Sequence, residues 1–206
     1  ELLNELHINA TLTSGNDLSN YSLVIIPTGG LYGFETSFAF KNQLESYVRN
    51  GGILISFTQQ HGYEFEGLPG GEVLGFGWIE DQSCLSGSVA VNTYVPAFSS
   101  FNSLNIDCNV DGFFTGYPDN AEILLSRIKN GMPVMLMYEY GEGKVIASTL
   151  YGDWAAGKGF GSTDEMLLIA NMIKWLLVEN VTELQDNELL AHSINVTNNY
   201  QEEKVL

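Results

Sequence analysis

YSLVIIPTGGLYGFETSFAFKNQLESYVRNGGILISFTQQHG, residues 21–62, decides the fold. Its apolar run LVII ends in Pro27-Thr28-Gly29-Gly30, the pattern of a strand buried on both faces of a parallel sheet. The following FETSFAFKNQLESYVRN places Phe38, Leu44, Tyr47 and Val48 on one side at helical spacing, with Gly51 at the C-terminal cap. ILISF, residues 53–57, is a second buried strand. Strand, helix and strand within about 35 residues make a βαβ unit, whose strands lie parallel.

Upstream, ELLNELH reads as the end of a helix and HINATLTSG as a short strand. From Gly62 to Asp119 the chain turns to Gly, Ser, Asn and aromatics, a loop-rich insertion with minor strands. AEILLSRI is a short helix or strand, and PVMLMYEY and KVIASTL form a hairpin across Gly141-Glu142-Gly143. STDEMLLIANMIKWLLVEN is a helix that Ser162 or Thr163 can cap, with Asp164 and Glu165 suited to the positive end of its dipole. Residues 1–182 therefore read as one α/β domain. ELLAHSINVTNNY suits a linker and the start of a truncated β domain over residues 183–206.

The chain's 25 acidic and 8 basic residues give a formal charge of −17, which repels phosphate backbones and anionic lipid heads. Nucleic acid is excluded as a partner on this ground. No stretch is long and apolar enough to insert in a membrane, and the first residues lack a signal peptide's pattern. Sequons at Asn9, Asn20, Asn180 and Asn195 suit an extracellular, cell-surface or periplasmic setting, with the export signal outside this chain. Cys84 and Cys108 are the two cysteines, and either a single disulfide or buried thiols fit them.

Three patterns together resemble the class I glutamine amidotransferase-like superfamily, which also holds trehalose-utilisation-like proteins and the trimerisation domain of some β-galactosidases. YSLVIIPTGG is similar to the strand ending near the family's oxyanion site, and VRNGGILISFT to the strand that delivers its nucleophile. YGEGKVIASTLYGDW resembles the strand carrying the catalytic His and Glu, followed by a helix with Asn171 to Leu176 at its end. The resemblance implies a flavodoxin-like three-layer sandwich with a mostly parallel central sheet. It also implies that the usual first strand is missing, as in a piece of a longer protein.

Carried over residue by residue, the family's nucleophilic Cys falls on Thr58, and its His-x-Glu pair on Tyr151-Gly152-Asp153. Amide transfer from glutamine needs a thiolate activated by an imidazole, and a Thr hydroxyl beside a phenol supplies neither. The expectation is a degenerate, non-catalytic site and a module for interaction or ligand binding. Two alternatives stay open: a hydrolase or carbohydrate-active enzyme, with His61 as a base three residues past Thr58, and a structural oligomerisation domain.

Ligands of open parallel sheets bind beyond the carboxyl ends of the strands. Gly29, Gly30, Thr58, Gln59, His61, Glu64, Asp153 and Trp154 are the candidate binding residues there. Carboxylates beside aromatic faces suit a sugar or a cation. The other expected partners are further domains of the same polypeptide or a surface protein. No cofactor is implied, apart from Ca2+ at Asp107, Asn109 and Asp111, which with Gly112 match the opening of a calcium loop. The bidentate Glu such a loop needs is replaced by Pro118 and Asp119.

Overall fold

The computed structural model describes residues 3, 8–13, 17–82, 87–159 and 161–178. The βαβ unit is present. β1 (Leu23–Ile26) and β2 (Ile53–Ser56) pair in parallel, joined through α1 (Phe38–Arg49). The Ser37 side chain caps α1 by accepting the Phe40 amide at 3.4 Å. Tyr47 then fastens α1 to β2: its phenol donates to the Ile53 carbonyl at 3.1 Å and accepts the Ile53 amide at 3.2 Å. A Cβ on Gly52 would fall 2.4 Å from the Tyr47 ring, so the Gly51-Gly52 pair is read out by an aromatic packed on the strand. Burial pushes the Tyr47 phenol up to about 12.

Among the described residues the main sheet has seven strands. After β1 and β2 come β9 (Gly143–Ser148), β8 (Pro133–Tyr140), β7 (Glu122–Arg127), β4 (Gly87–Val91) and β5 (Asn105–Cys108), in that spatial order. β2 and β9 are parallel, while β9–β8, β8–β7, β7–β4 and β4–β5 are antiparallel. The expected mostly parallel sheet is corrected here to a mixed α/β sheet whose antiparallel ladders outnumber the parallel ones. Two of the four antiparallel ladders belong to the run β7–β8–β9, and the other two come from the insertion. Its segments around Ser88 and Ile106 became β4 and β5 and extended the sheet edge as an antiparallel pair with β4 beside β7, although they read as minor strands in a loop.

The β8–β9 hairpin has the expected register, with Tyr140 opposite Gly143 and Gly141 at φ 66° in the turn. Residues 122–127 resolve as strand. Residues 8–13 do not form the short strand their alternation suggested. The rest of the insertion supplies a 3₁₀ turn (Gly62–Gly67) and a small antiparallel sheet of β3 (Leu74–Phe76) and β6 (Phe113–Gly116).

Both faces of the main sheet are covered. Leu54, Val145, Ala147, Leu136 and Tyr138 pack with Leu44 and Val48 of α1. Ile53, Ile55 and Ile146 turn the other way and meet Leu168, Ile169, Met172 and Ile173 of α3, residues 163–178. That alternation along β2 is why ILIS is apolar at nearly every position: each neighbour serves a different core. Between β9 and α3 lies the short α2 (Gly152–Lys158), closed by Gly159 at φ 79°. The expected helix end at residues 1–7, apart from residue 3, and the expected β domain at 183–206 fall outside the described residues.

Candidate functional site

β1, β2 and β9 run parallel, so their carboxyl ends lie side by side, and backbone hydrogen bonds continue past the strands. The Phe57 amide donates to the Ile26 carbonyl at 3.0 Å, Thr58 to Leu150 at 2.9 Å, and Gly29 to Thr58 at 2.9 Å. Gln59 bolts the loops after β1 and β2 together from inside. Its Oε1 accepts the Leu31 amide at 2.8 Å and its Nε2 donates to the Phe57 carbonyl at 2.8 Å, with the side chain fully buried. Asp153, in the first turn of α2, accepts both the Thr28 amide at 2.8 Å and the Thr28 hydroxyl.

Residues 77–82 form one wall. The Trp78 and Ile79 amides donate to the carbonyls of Gln59 and Gln60 at 3.2 and 3.1 Å. Arg127 of β7 reaches in, pairing with Asp81 at 2.6 Å and donating to the Gly112 carbonyl. Backbones approach so closely here that only glycine fits: a Cβ on Gly77 would lie 2.3 Å from the Gln59 carbonyl, and one on Gly112 1.9 Å from that of Phe76. Glycines that read as loop composition in the sequence are the contact points that seat this wall.

The result is a cleft of about 700 Å³, within the usual range for small-ligand sites of roughly 300–1,000 Å³. Trp78, Tyr151 and Trp154 give it aromatic walls, and Thr28, Gln82, Asn109 and Asp111 give it polar groups, with Thr58 at its base. Trp154 is 48% exposed. Asn109 is held from beneath by Glu165 of α3, whose Oε1 accepts the Asn109 amide at 3.1 Å and whose Oε2 accepts the Asn109 Nδ2 at 2.6 Å. Burial raises the Glu165 carboxyl to about 7, against the opposing effect of those hydrogen bonds. The Tyr151 phenol faces Asn109 Oδ1 at 3.5 Å, linking the chain Glu165–Asn109–Tyr151 to the cleft.

The expected site residues divide. Thr58, Tyr151 and Trp154 line the cleft, Asp153 shapes it through Thr28, and Gly29 borders it, since a Cβ there would lie 2.9 Å from the Trp78 ring. Gly30 closes the turn after β1 by donating to the Pro27 carbonyl at 2.8 Å. Thr58 Oγ1 donates to the Asp111 carbonyl at 3.0 Å. His61 is engaged elsewhere: its Nδ1 is 2.6 Å from Glu80 Oε1, and its ring stacks on Tyr63. Burial of Glu80 is outweighed by hydrogen bonds from His61, Gly77 and Gly62, which hold that carboxyl below its ordinary value. Glu64 is fully buried, accepts the Gln60 amide at 2.9 Å, and is raised mainly by burial. It belongs to the 3₁₀ turn Gly62–Gly67, and it does not line the cleft.

The segment that carries Asp107, Asn109 and Asp111 begins in β5. Asp107 is on β5 opposite Ser88, and Val110 bridges Leu150, so the segment is extended where a calcium loop must turn. Among the described residues no three His, Cys, Asp or Glu side chains gather at one point. Cys108 is a buried free thiol, pushed well up chiefly by burial, and Cys84 lies outside the described residues. Trp78, Gln82 and Glu165 belong to the cleft and its support, although nothing in the sequence marked them as binding residues. Among the described residues no helix is long and apolar enough to cross a membrane.

No protein-family profile matches the chain. An uncharacterised protein of Clostridium acetobutylicum is 28% identical over 152 residues, which cover 72% of this chain and 15% of that protein, so the chain spans a small part of its relative's length. Among solved structures, a GMP synthase protein from Thermoplasma acidophilum is similar with a TM-score of 0.59 at 11% identity, covering 90% of this chain and 88% of that one. A cold-adapted β-galactosidase from Rahnella is similar at 0.57 and 14% identity, over 86% of this chain and 26% of that one. At 11% and 14% identity these are likenesses of fold, and they show an α/β architecture shared with those proteins.

Proposed function

We propose that the chain is a non-catalytic, amidotransferase-like module that binds a small ligand at the carboxyl ends of β1, β2 and β9, within a larger exported or cell-surface protein. On this reading the βαβ half is the retained part of a flavodoxin-like layered fold. The observation that carries it is the fate of Thr58. The hydroxyl at the expected nucleophile position gives its proton to the Asp111 carbonyl, and the nearby imidazole of His61 is paired with Glu80. A hydroxyl is a weak nucleophile without an adjacent base, so this arrangement suits binding better than turnover.

The exposed sequons at Asn9 and Asn20 support the extracellular setting. Neighbouring domains of the same polypeptide, or a surface protein, are the proposed macromolecular partners. The test is an assay of the purified chain for ammonia release from glutamine and for hydrolysis of nitrophenyl esters and nitrophenyl glycosides. Rates at the buffer blank are expected. A saturable rate that disappears in Thr58→Ala would overturn the reading.

A further inference from the structure

The hydroxyl protons around the cleft are already committed. Thr28 Oγ1 donates to Asp153, Thr58 Oγ1 donates to the Asp111 carbonyl, and the Tyr151 phenol faces Asn109 Oδ1. What these groups turn toward a ligand is oxygen lone pairs, and Asp111 adds a carboxylate that is only 7% exposed. A matching ligand must therefore arrive carrying several donors.

Three ligand classes can be weighed against that. Phosphates and carboxylates bring negative charge and acceptors to a cleft that holds the Asp111 carboxylate, in a chain of charge −17, and among the described residues no Lys or Arg lines the cleft. A quaternary ammonium suits aromatic walls but has no N–H or O–H to give, so Asn109 and Gln82 would be desolvated without partners. A polyol has a donor on every hydroxyl, and a pyranose also has an apolar C–H face that packs on an indole. Trp78 and Trp154 supply two such rings on the walls of a cavity of suitable size.

We infer that the cleft binds a neutral saccharide, its C–H face against the indoles of Trp78 and Trp154 and its hydroxyl protons donated to Thr28, Asp111 and the Asn109 side chain. This rests on the ligand-binding reading above and names its ligand class. Glu165 acts as a positioning residue in it, because its carboxyl takes one Asn109 amide proton and so fixes which way the Asn109 oxygen points.

The experiment is titration of the 206-residue chain with neutral mono- and disaccharides (glucose, galactose, mannose, maltose, cellobiose), followed by tryptophan fluorescence and saturation-transfer NMR. Glucose 6-phosphate and choline serve as controls. At least one neutral sugar is expected to bind saturably, and Trp154→Ala should weaken it about tenfold or more. The thermal melt of that variant should be unchanged, as Trp154 is half exposed. Gln82→Ala, at an exposed position, provides a second variant that leaves the packing intact. Saturable binding of choline or glucose 6-phosphate without any sugar would overturn the saccharide assignment and leave the ligand-binding module standing. No saturable binding by any probe would overturn both.

Discussion

Asp153 holds Thr28 through two atoms at once, accepting the amide at Oδ2 (2.8 Å) and the hydroxyl at Oδ1. The pair joins the first turn of α2 to the loop after β1 across 125 residues of sequence, so the cleft's rim depends on one carboxylate. Asp153→Ala should lower stability by about 1–3 kcal/mol, the usual result of leaving a partly buried donor unpaired. Thr28→Val removes only the hydroxyl arm and should lower it by less. Because both act on one contact, the double variant should fall short of the sum, which a double-mutant cycle by urea denaturation measures. Strict additivity would mean that the hydroxyl arm of the clamp contributes nothing.

Arg127 is the second fixture. Its guanidinium is buried beside Asp81 at 2.6 Å, donates to the Gly112 carbonyl, and stacks over the Phe113 ring 5.5 Å from its centroid. Arg127→Met keeps most of the apolar stem and deletes the charge. It should destabilise by about 3 kcal/mol, since it strands a partly buried carboxylate. Asp81→Asn should be milder. Loss of the pair also frees the wall carrying Trp78, so tryptophan emission should shift to the red before global unfolding in a urea titration.

Glycine geometry gives a paired comparison. Gly112 (φ +85°) and Gly33 (φ +80°) both need the left-handed region, but a Cβ on Gly112 meets the Phe76 carbonyl at 1.9 Å while one on Gly33 meets nothing within 4 Å. Gly33→Ala should therefore lose only the conformational term, about 1–2 kcal/mol. Gly112→Ala must also separate two backbones, and its thermal melt should fall well below that of Gly33→Ala. Equal melting temperatures would show that the wall yields without penalty.

The βαβ unit, the β8–β9 hairpin and the final helix were legible because each is specified locally, by apolar period, turn residues and caps. β4 and β5 were not. β4 lies along β7, with Val89 opposite Arg127 and Val91 opposite Leu125, and β5 pairs with β4 alone, pairings that no local pattern records. The site was legible in the same uneven way. Thr58, Asp153 and Trp154 follow strand ends that can be counted from the glycines, whereas Trp78 and Gln82 reach the cleft only because the insertion folds back onto Gln59 and Gln60. His61 and Glu64 are near Thr58 in sequence but are turned toward Glu80 and the Gln60 amide.

Glu165 makes the sharpest case, since Ser162-Thr-Asp-Glu has the spacing of a capping box and Ser162 Oγ does accept the Glu165 amide at 3.0 Å. The carboxyl, however, is spent on Asn109, and burial raises it to about 7 from an ordinary 4.5. A raised carboxyl binds its proton more tightly folded than unfolded. Its contribution to stability is thus fully present below pH 4.5 and is lost as pH rises through 7. That interval corresponds to about 3 kcal/mol at roughly 1.4 kcal/mol per pH unit. Glu165→Gln cannot ionise, so its stability relative to the parent should rise between pH 5 and pH 8, measured by denaturant titration at each pH so that all other titrating groups cancel. The same variant keeps one acceptor oxygen for the two Asn109 donors and sets an NH2 group against the other. Any saccharide affinity should therefore drop above pH 7, where the parent carboxylate accepts both Asn109 donors, and approach the parent's at pH 5, while the stability difference moves in the variant's favour as pH rises; parallel pH curves for the two proteins would refute the role of this carboxyl.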